Sequence, residues 1–185
     1  MDHDDKSNAE RRGRLPRRRC SGDGTGDQRP LFFEDLEVGR TFESGSFRIE
    51  AEAIKSFATD FDPQPLHLDE ECAADGFFGG LVASGWQVAV LTMRRLVIEG
   101  LPIAGGLVGA GAELKWVRPT RPGEVLRVVS EIVEVLGSER RSSIGMVVIR
   151  SETRNRSDEP VQIMLTRLVV PRRDASSEMH DRHRT

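Results

Sequence analysis

A helix whose apolar residues run nearly all the way round, followed by four strand-like runs with turn-length separators, leaves few packings open to this chain. The helix is GWQVAVLTMRRLVIE, residues 85–99, in which Trp86, Val88, Ala89, Val90, Leu91, Met93, Leu96, Val97 and Ile98 cover almost every direction. Such a helix is expected inside a protein, not on its surface. Ser84 is placed to cap it, and Gly100 and Pro102 to close it. The runs are LVGAGAELKWVR (107–118), EVLRVVSEIVEVL (124–136), SSIGMVVIRSETR (142–154) and PVQIMLTRLVV (160–170), separated by PTRPG, GSERR and NRSDE. Separators of that length favour an antiparallel meander over parallel crossovers. One buried helix wrapped by a curved antiparallel sheet, an α+β arrangement, packs these pieces most economically.

Upstream, TFESGSFRI (41–49) alternates loosely and reads as a strand. In AEAIKSFATDF, Ile54, Phe57, Ala58 and Phe61 recur at helical spacing. Pro63 and Pro65 stop that helix, because they remove amide donors and push Asp62 and Gln64 toward extended backbone. Asp69 can cap a second short helix, with Glu70 and Glu71 in its first turn, and Gly76, Gly79 and Gly80 end it.

At 185 residues the chain suits one domain with a core of its own. Residues 1–29 are rich in Arg, Asp, Gly and Ser and cannot bury enough apolar area to order themselves, and residues 172–185 read the same way, leaving 30–171 as the folded unit. Residues 31–170 carry 15 basic against 21 acidic residues, which does not suit a nucleic-acid surface. No apolar run is long enough to span a membrane, and the basic amino terminus lacks the apolar stretch of a secretory signal, so a cytoplasmic location is expected. Cys20 and Cys72 form neither a disulfide framework nor a metal spacing, and His3, His180 and His183 lie in the tails; no metal site is expected.

The stretch FATDFDPQPLHLDEECA (57–73) holds the sole histidine between residues 4 and 179, His67, five residues after Asp62. A histidine changes protonation cheaply near neutral pH. The two prolines stiffen the segment, as a loop holding two side chains in place would need; a structural histidine beside a turn is the plainer alternative. The loop must bend for Asp62 and His67 to share a water molecule. Asp60, at the end of an amphipathic helix, is expected to face solvent. Two roles are open to Gly85 at the start of the long helix: its amide has no intrahelical partner and can face developing negative charge, or its missing side chain allows close packing.

Taken together, FATDFDPQPLHLDEECA, LVASGWQV and ELKWVRPTRPGEVL resemble the MaoC-like dehydratases and (R)-specific enoyl-CoA hydratases. The resemblance covers roughly residues 31–170. It implies a hotdog fold, with a five-stranded antiparallel sheet around a long central helix, and a homodimer or higher assembly with an acyl-thioester pocket near the interface. Carried over by position, Asp62 and His67 would be the catalytic pair and the Gly85 amide the oxyanion donor. The implied reaction is reversible addition of water to a trans-2-enoyl-CoA, with coenzyme A carried by the substrate and no separate cofactor. The chain departs from the hydratase pattern at Gln64-Pro65, where Asn-Pro is common, and at Ser84, where a histidine is common. Gln64, Ser84 and Trp86 are the residues expected to touch substrate or orient the site. Capping is the plainer role for Ser84, and a pocket or core wall for Trp86 and Trp116. Lys115, Arg118 and Arg121 could meet coenzyme A phosphates or serve solubility alone. A hotdog acyl-CoA thioesterase is the alternative enzyme, disfavoured because SGWQVAV offers Gln87 and no acid at the helix start. A non-catalytic acyl-CoA-binding module using the Arg-rich tail is the remaining one.

Overall fold

The computed structural model describes residues 29–137 and 143–173. The expectations for residues 1–28 and 174–185, including Cys20 and the tail histidines, lie outside the described residues. In chain order the elements are β1 (Thr41–Glu43), β2 (Phe47–Arg48), α1 (Ala51–Phe61), α2 (Pro65–Leu68), α3 (Glu70–Ala74), α4 (Gly85–Arg95), β3 (Val108–Trp116), β4 (Val125–Gly137), β5 (Ile144–Arg154) and β6 (Pro160–Pro171). The strands make one antiparallel sheet in the order β1-β4-β5-β6-β3, and β2 also pairs with β4. β1 and β2 are the two halves of the expected first strand, so six strands fill five positions. This is the hotdog architecture that the resemblance implies.

The break between β1 and β2 has a local cause. Ser44 keeps one foot in the sheet, its amide donating to the Val128 carbonyl at 2.9 Å while its hydroxyl accepts the Val128 amide at 3.0 Å. The next amide, Gly45, turns away and donates to Glu99 Oε2 at 2.7 Å.

The meander holds only for β4, β5 and β6. β3 sits at the far edge beside β6, in register from Val108↔Val169 to Trp116↔Gln162. Residues 117–124 therefore cross the end of the sheet: Val117 donates to the Val161 carbonyl, Thr120 accepts from Ala83, and Gly123 donates to Ile49. Separator length limits how far a chain can travel, but a turn-sized segment laid across the sheet end was not foreseen.

The core lies between α4 and the inner sheet face. Leu126, Val128 and Ile132 of β4, Val147 and Ile149 of β5, and Val161, Met164 and Leu168 of β6 are buried there against Val88 and Leu96. Ile54 and Ala58 of α1 are wholly buried as well, and burying a side chain such as Ile54 is worth roughly 1.5–3 kcal/mol. Gly145 in β5 accepts the Phe33 ring against its backbone; a Cβ there would come within 2.2 Å of it. Arg172 and Arg173, beyond the expected domain end, are tied to the body: their guanidinium groups cover the Phe33 and Phe32 rings, and Arg173 also donates to Asp35.

α4 departs from expectation in two ways. It ends at Arg95, and Leu96–Gly100 continue as a widened π-helical turn. Nor is it enclosed on all sides: Trp86, Val90, Met93 and Val97 form one stripe that stays 40–58 % exposed. A single five-position sheet covers only one side of a helix, and nothing else in the described chain lies over the other. Trp116 and Val108 at the two ends of β3 are also exposed, on the strand that forms a free sheet edge.

Candidate active site

Asp62 is the residue at which α1 stops. Its amide still donates to Ala58 at 3.0 Å, but Pro63 cannot continue the ladder, and the backbone turns to φ −151°, ψ 67°. Pro65 then opens α2 from its first position. This single turn carries His67 inward to a buried position. Asp69 ends α2 and caps α3 by accepting from the Glu71 and Cys72 amides, as its place before two glutamates predicts. After Gly79 and Gly80, both at positive φ, residues 81–84 run back as a buried extended segment beneath His67.

That segment fixes the imidazole. His67 Nδ1 lies 2.7 Å from the Val82 carbonyl oxygen. A carbonyl only accepts, so Nδ1 carries the hydrogen, and in the neutral ring Nε2 presents its lone pair. Asp62 Oδ2 lies 3.4 Å from Nε2. The carboxylate is itself held on both oxygens: Ser84 Oγ donates to Oδ2 at 2.6 Å, and Gln64 Nε2 donates to Oδ1 at 2.6 Å. The Ser84 hydroxyl, followed by the Gln64 amide, holds Asp62 below the usual carboxylate range against the opposing effect of burial, with a smaller contribution from His67. Asp60, the competing carboxylate, is exposed as expected.

Ser84 has two tasks. Its hydroxyl accepts the Trp86 amide at 3.2 Å, capping α4, while donating its hydrogen to Asp62. Asp62, His67 and the start of α4 thus become one unit in the wall of a cleft of about 460 Å³, the size range of small-molecule sites. Gln64, Ser84, Gly85 and Trp86, all singled out from sequence, line this cleft together with Asp62 and His67.

Gly85 has a steric role as well as a free first-turn amide. The Trp116 indole lies directly on it, and a Cβ would fall 2.5 Å from the ring. Trp116 meets Trp86 edge to face at 5.2 Å. Sequence reasoning did not foresee the Val82 carbonyl, the Trp116–Gly85 contact or the presence of Phe78 and Thr120 in the wall. The first is a backbone atom that any residue would supply, and the others follow from the crossover of residues 117–124. The fold also supplies the acid that SGWQVAV lacks, because Ser84 brings Asp62 to the start of α4. Of the three basic candidates, Arg118 pairs with Glu159, Arg121 donates to the Phe78 carbonyl, and Lys115 is exposed on the edge strand.

Residues 37–164 match a family model described as FAS1-like, dehydratase domain region. A MaoC-like dehydratase from Rhodospirillum rubrum is 51 % identical, covering 77 % of this chain and 98 % of that chain, with a TM-score of 0.76. The uncharacterized protein YdeM of Bacillus subtilis is 31 % identical over 69 % of this chain and 90 % of its own length. A 3-hydroxybutyryl-CoA dehydratase of Methylorubrum extorquens is 35 % identical over 63 % of this chain and 73 % of its own length.

Proposed function

The chain belongs to the MaoC-like dehydratase family of hotdog proteins, and from that premise we propose that it adds water reversibly to a trans-2-enoyl-CoA, with Asp62 and His67 handling the water. The observation that carries this reading is the pair of acceptors, His67 Nε2 and Asp62 Oδ2, set 3.4 Å apart in the wall of a cleft. The name of the M. extorquens relative supports a coenzyme A thioester as substrate.

In the proposed reaction the two acceptors hold a water by its hydrogens, leaving an oxygen lone pair toward the cleft. The oxygen bonds to the β-carbon while the double-bond electrons move through the α-carbon onto the thioester oxygen. The proton released passes to Nε2, and the neighbouring carboxylate stabilises the imidazolium. The Gly85 amide faces the enolate-like oxygen, a contribution of roughly 3–4 kcal/mol for donors of this kind. The imidazolium then returns its proton to the α-carbon as the enolate collapses, so that one water is consumed, with no redox change and no cofactor.

The active form is proposed to be a homodimer. The bare apolar stripe of α4 and the free edge of β3 are surfaces that a second copy would cover and extend, as unprotected edge strands require.

Incubation with crotonyl-CoA tests the reaction. Hydration that falls by roughly 10²–10⁴ in Asp62→Asn and in His67→Ala, with circular dichroism unchanged, is expected; full activity in both variants defeats the assignment. A thioesterase is the second reading, favoured by the placement of Asp62 beside the start of α4; release of free thiol without hydration would select it. Tight binding of acyl-CoA with no product would select a binding module.

A further inference from the structure

Below the cleft, polar side chains close the space between α4 and the sheet. Thr92 on α4, Thr153 on β5 and Gln162 on β6 are fully buried. The Thr92 hydroxyl donates to the Val88 carbonyl at 2.8 Å, so it accepts from both neighbours, Thr153 Oγ1 at 2.6 Å and Gln162 Nε2 at 3.1 Å. Gln162 Oε1 in turn accepts the Trp116 indole N–H at 3.0 Å. The indole is therefore fixed from one side by a cluster rooted in three elements, and it rests with its ring on Gly85.

The cluster divides the interior. Val88 and Val161 face the cleft on one side of it. On the other, Met93, Leu96 and Met164 help enclose a separate cavity of about 10 Å³, room for about one water at most.

We propose that Trp116 and the Thr92–Thr153–Gln162 cluster are the end wall of the acyl site and restrict the protein to short acyl groups such as butenoyl; the inference rests on the enoyl-CoA reading. Each methylene seated against Val88, Val161 and the indole strengthens binding by roughly fourfold. A methylene beyond the wall must instead displace the indole or separate hydrogen-bonded groups that have no water to turn to.

The test compares kcat/KM for crotonyl-, trans-2-hexenoyl- and trans-2-decenoyl-CoA in the wild type, in Trp116→Ala and in the double variant Thr92→Val/Gln162→Leu. The wild type is expected to favour crotonyl- over decenoyl-CoA by about tenfold or more. The ratio should collapse in Trp116→Ala and move the same way in the double variant, which removes both partners of a buried bond at nearly constant volume. Decenoyl-CoA used as well as crotonyl-CoA by the wild type, or a ratio unmoved by either change, overturns the end wall and leaves the reaction standing. If none of the three is hydrated, the reaction fails, and the wall is read from wild-type binding of butyryl- and decanoyl-CoA by quenching of tryptophan fluorescence. Tighter butyryl-CoA binding supports it; equal binding, or binding of neither, overturns it.

Discussion

Ser84→Ala removes two hydrogen bonds at once, and they respond to pH differently. The first is the cap on the Trp86 amide, worth about 1 kcal/mol in comparable helices. The second is the bond to ionised Asp62 at 2.6 Å. Bonds to charged groups are worth about 1.5–3 kcal/mol, and the lower end applies because the Asp62 side chain is 18 % exposed and water can replace part of the loss. The expected cost at neutral pH is then about 2.5 kcal/mol. Asp62 is held below its ordinary value of 3.8 in the folded protein. A depressed carboxylate contributes its stability above the unfolded value and loses it as pH falls through the folded one. In that acid window the Asp62 share of the deficit disappears while the cap share remains, so the difference between wild type and variant shrinks toward about 1 kcal/mol. Urea unfolding at fixed protein concentration, near neutral pH and again at acid pH below the point where carboxyl NMR shows Asp62 of the folded protein taking up its proton, measures both values, and Asp62 should titrate higher in the variant. A deficit unchanged by acid, or an unmoved Asp62 titration, refutes the claim that this hydroxyl holds the carboxylate.

Gly85→Ala forces a methyl into the Trp116 ring and is expected to cost about 1–3 kcal/mol; made in a Trp116→Ala background it should cost much less in thermal unfolding, and an undiminished penalty there would show that the indole is not the obstacle. If the proposed dimer forms through the bare face of α4, Val90→Asp with Val97→Asp places charge in its seam and should give a monomer by light scattering where the wild type runs as a dimer; identical mass for both refutes that interface. Asp69→Ala should lose about 1 kcal/mol through the cap of α3, and Asp69→Asn distinctly less; equal losses in urea unfolding would argue against capping.

What could be read from the chain follows the range of the interactions. The end of α1 at Asp62 and the caps at Asp69 and Ser84 are each decided within a few residues, and all are found, whereas the single helical turn that Pro65 opens, read from sequence only as a stop, is not among the expected elements. The strand bounds fall within two residues of expectation because alternation and turn residues mark them locally. The position of β3 beside β6 was not legible, since it depends on where residues 117–124 cross, and pairing partners leave no local mark. The side of α4 facing the core was likewise hidden, because an all-round apolar pattern does not distinguish a face covered by the same chain from one left bare. At the site, the Asp62–His67 spacing and the glycine at the helix start pointed to residues that line one cleft. The Ser84–Asp62 bond spans 22 positions, and no propensity reaches that far.

The long helix is moored at both ends to groups far away in the chain. At its start Ser84 grips Asp62, and just past its end Glu99 accepts the Gly45 amide, 54 positions away, while also pairing with Arg95. With both extremities tethered, sliding the rod along the sheet would break bonds at each end. A ligand entering the cleft thus meets a frame whose position is set from two distant parts of the chain, beside the rings of Phe78 and Trp86.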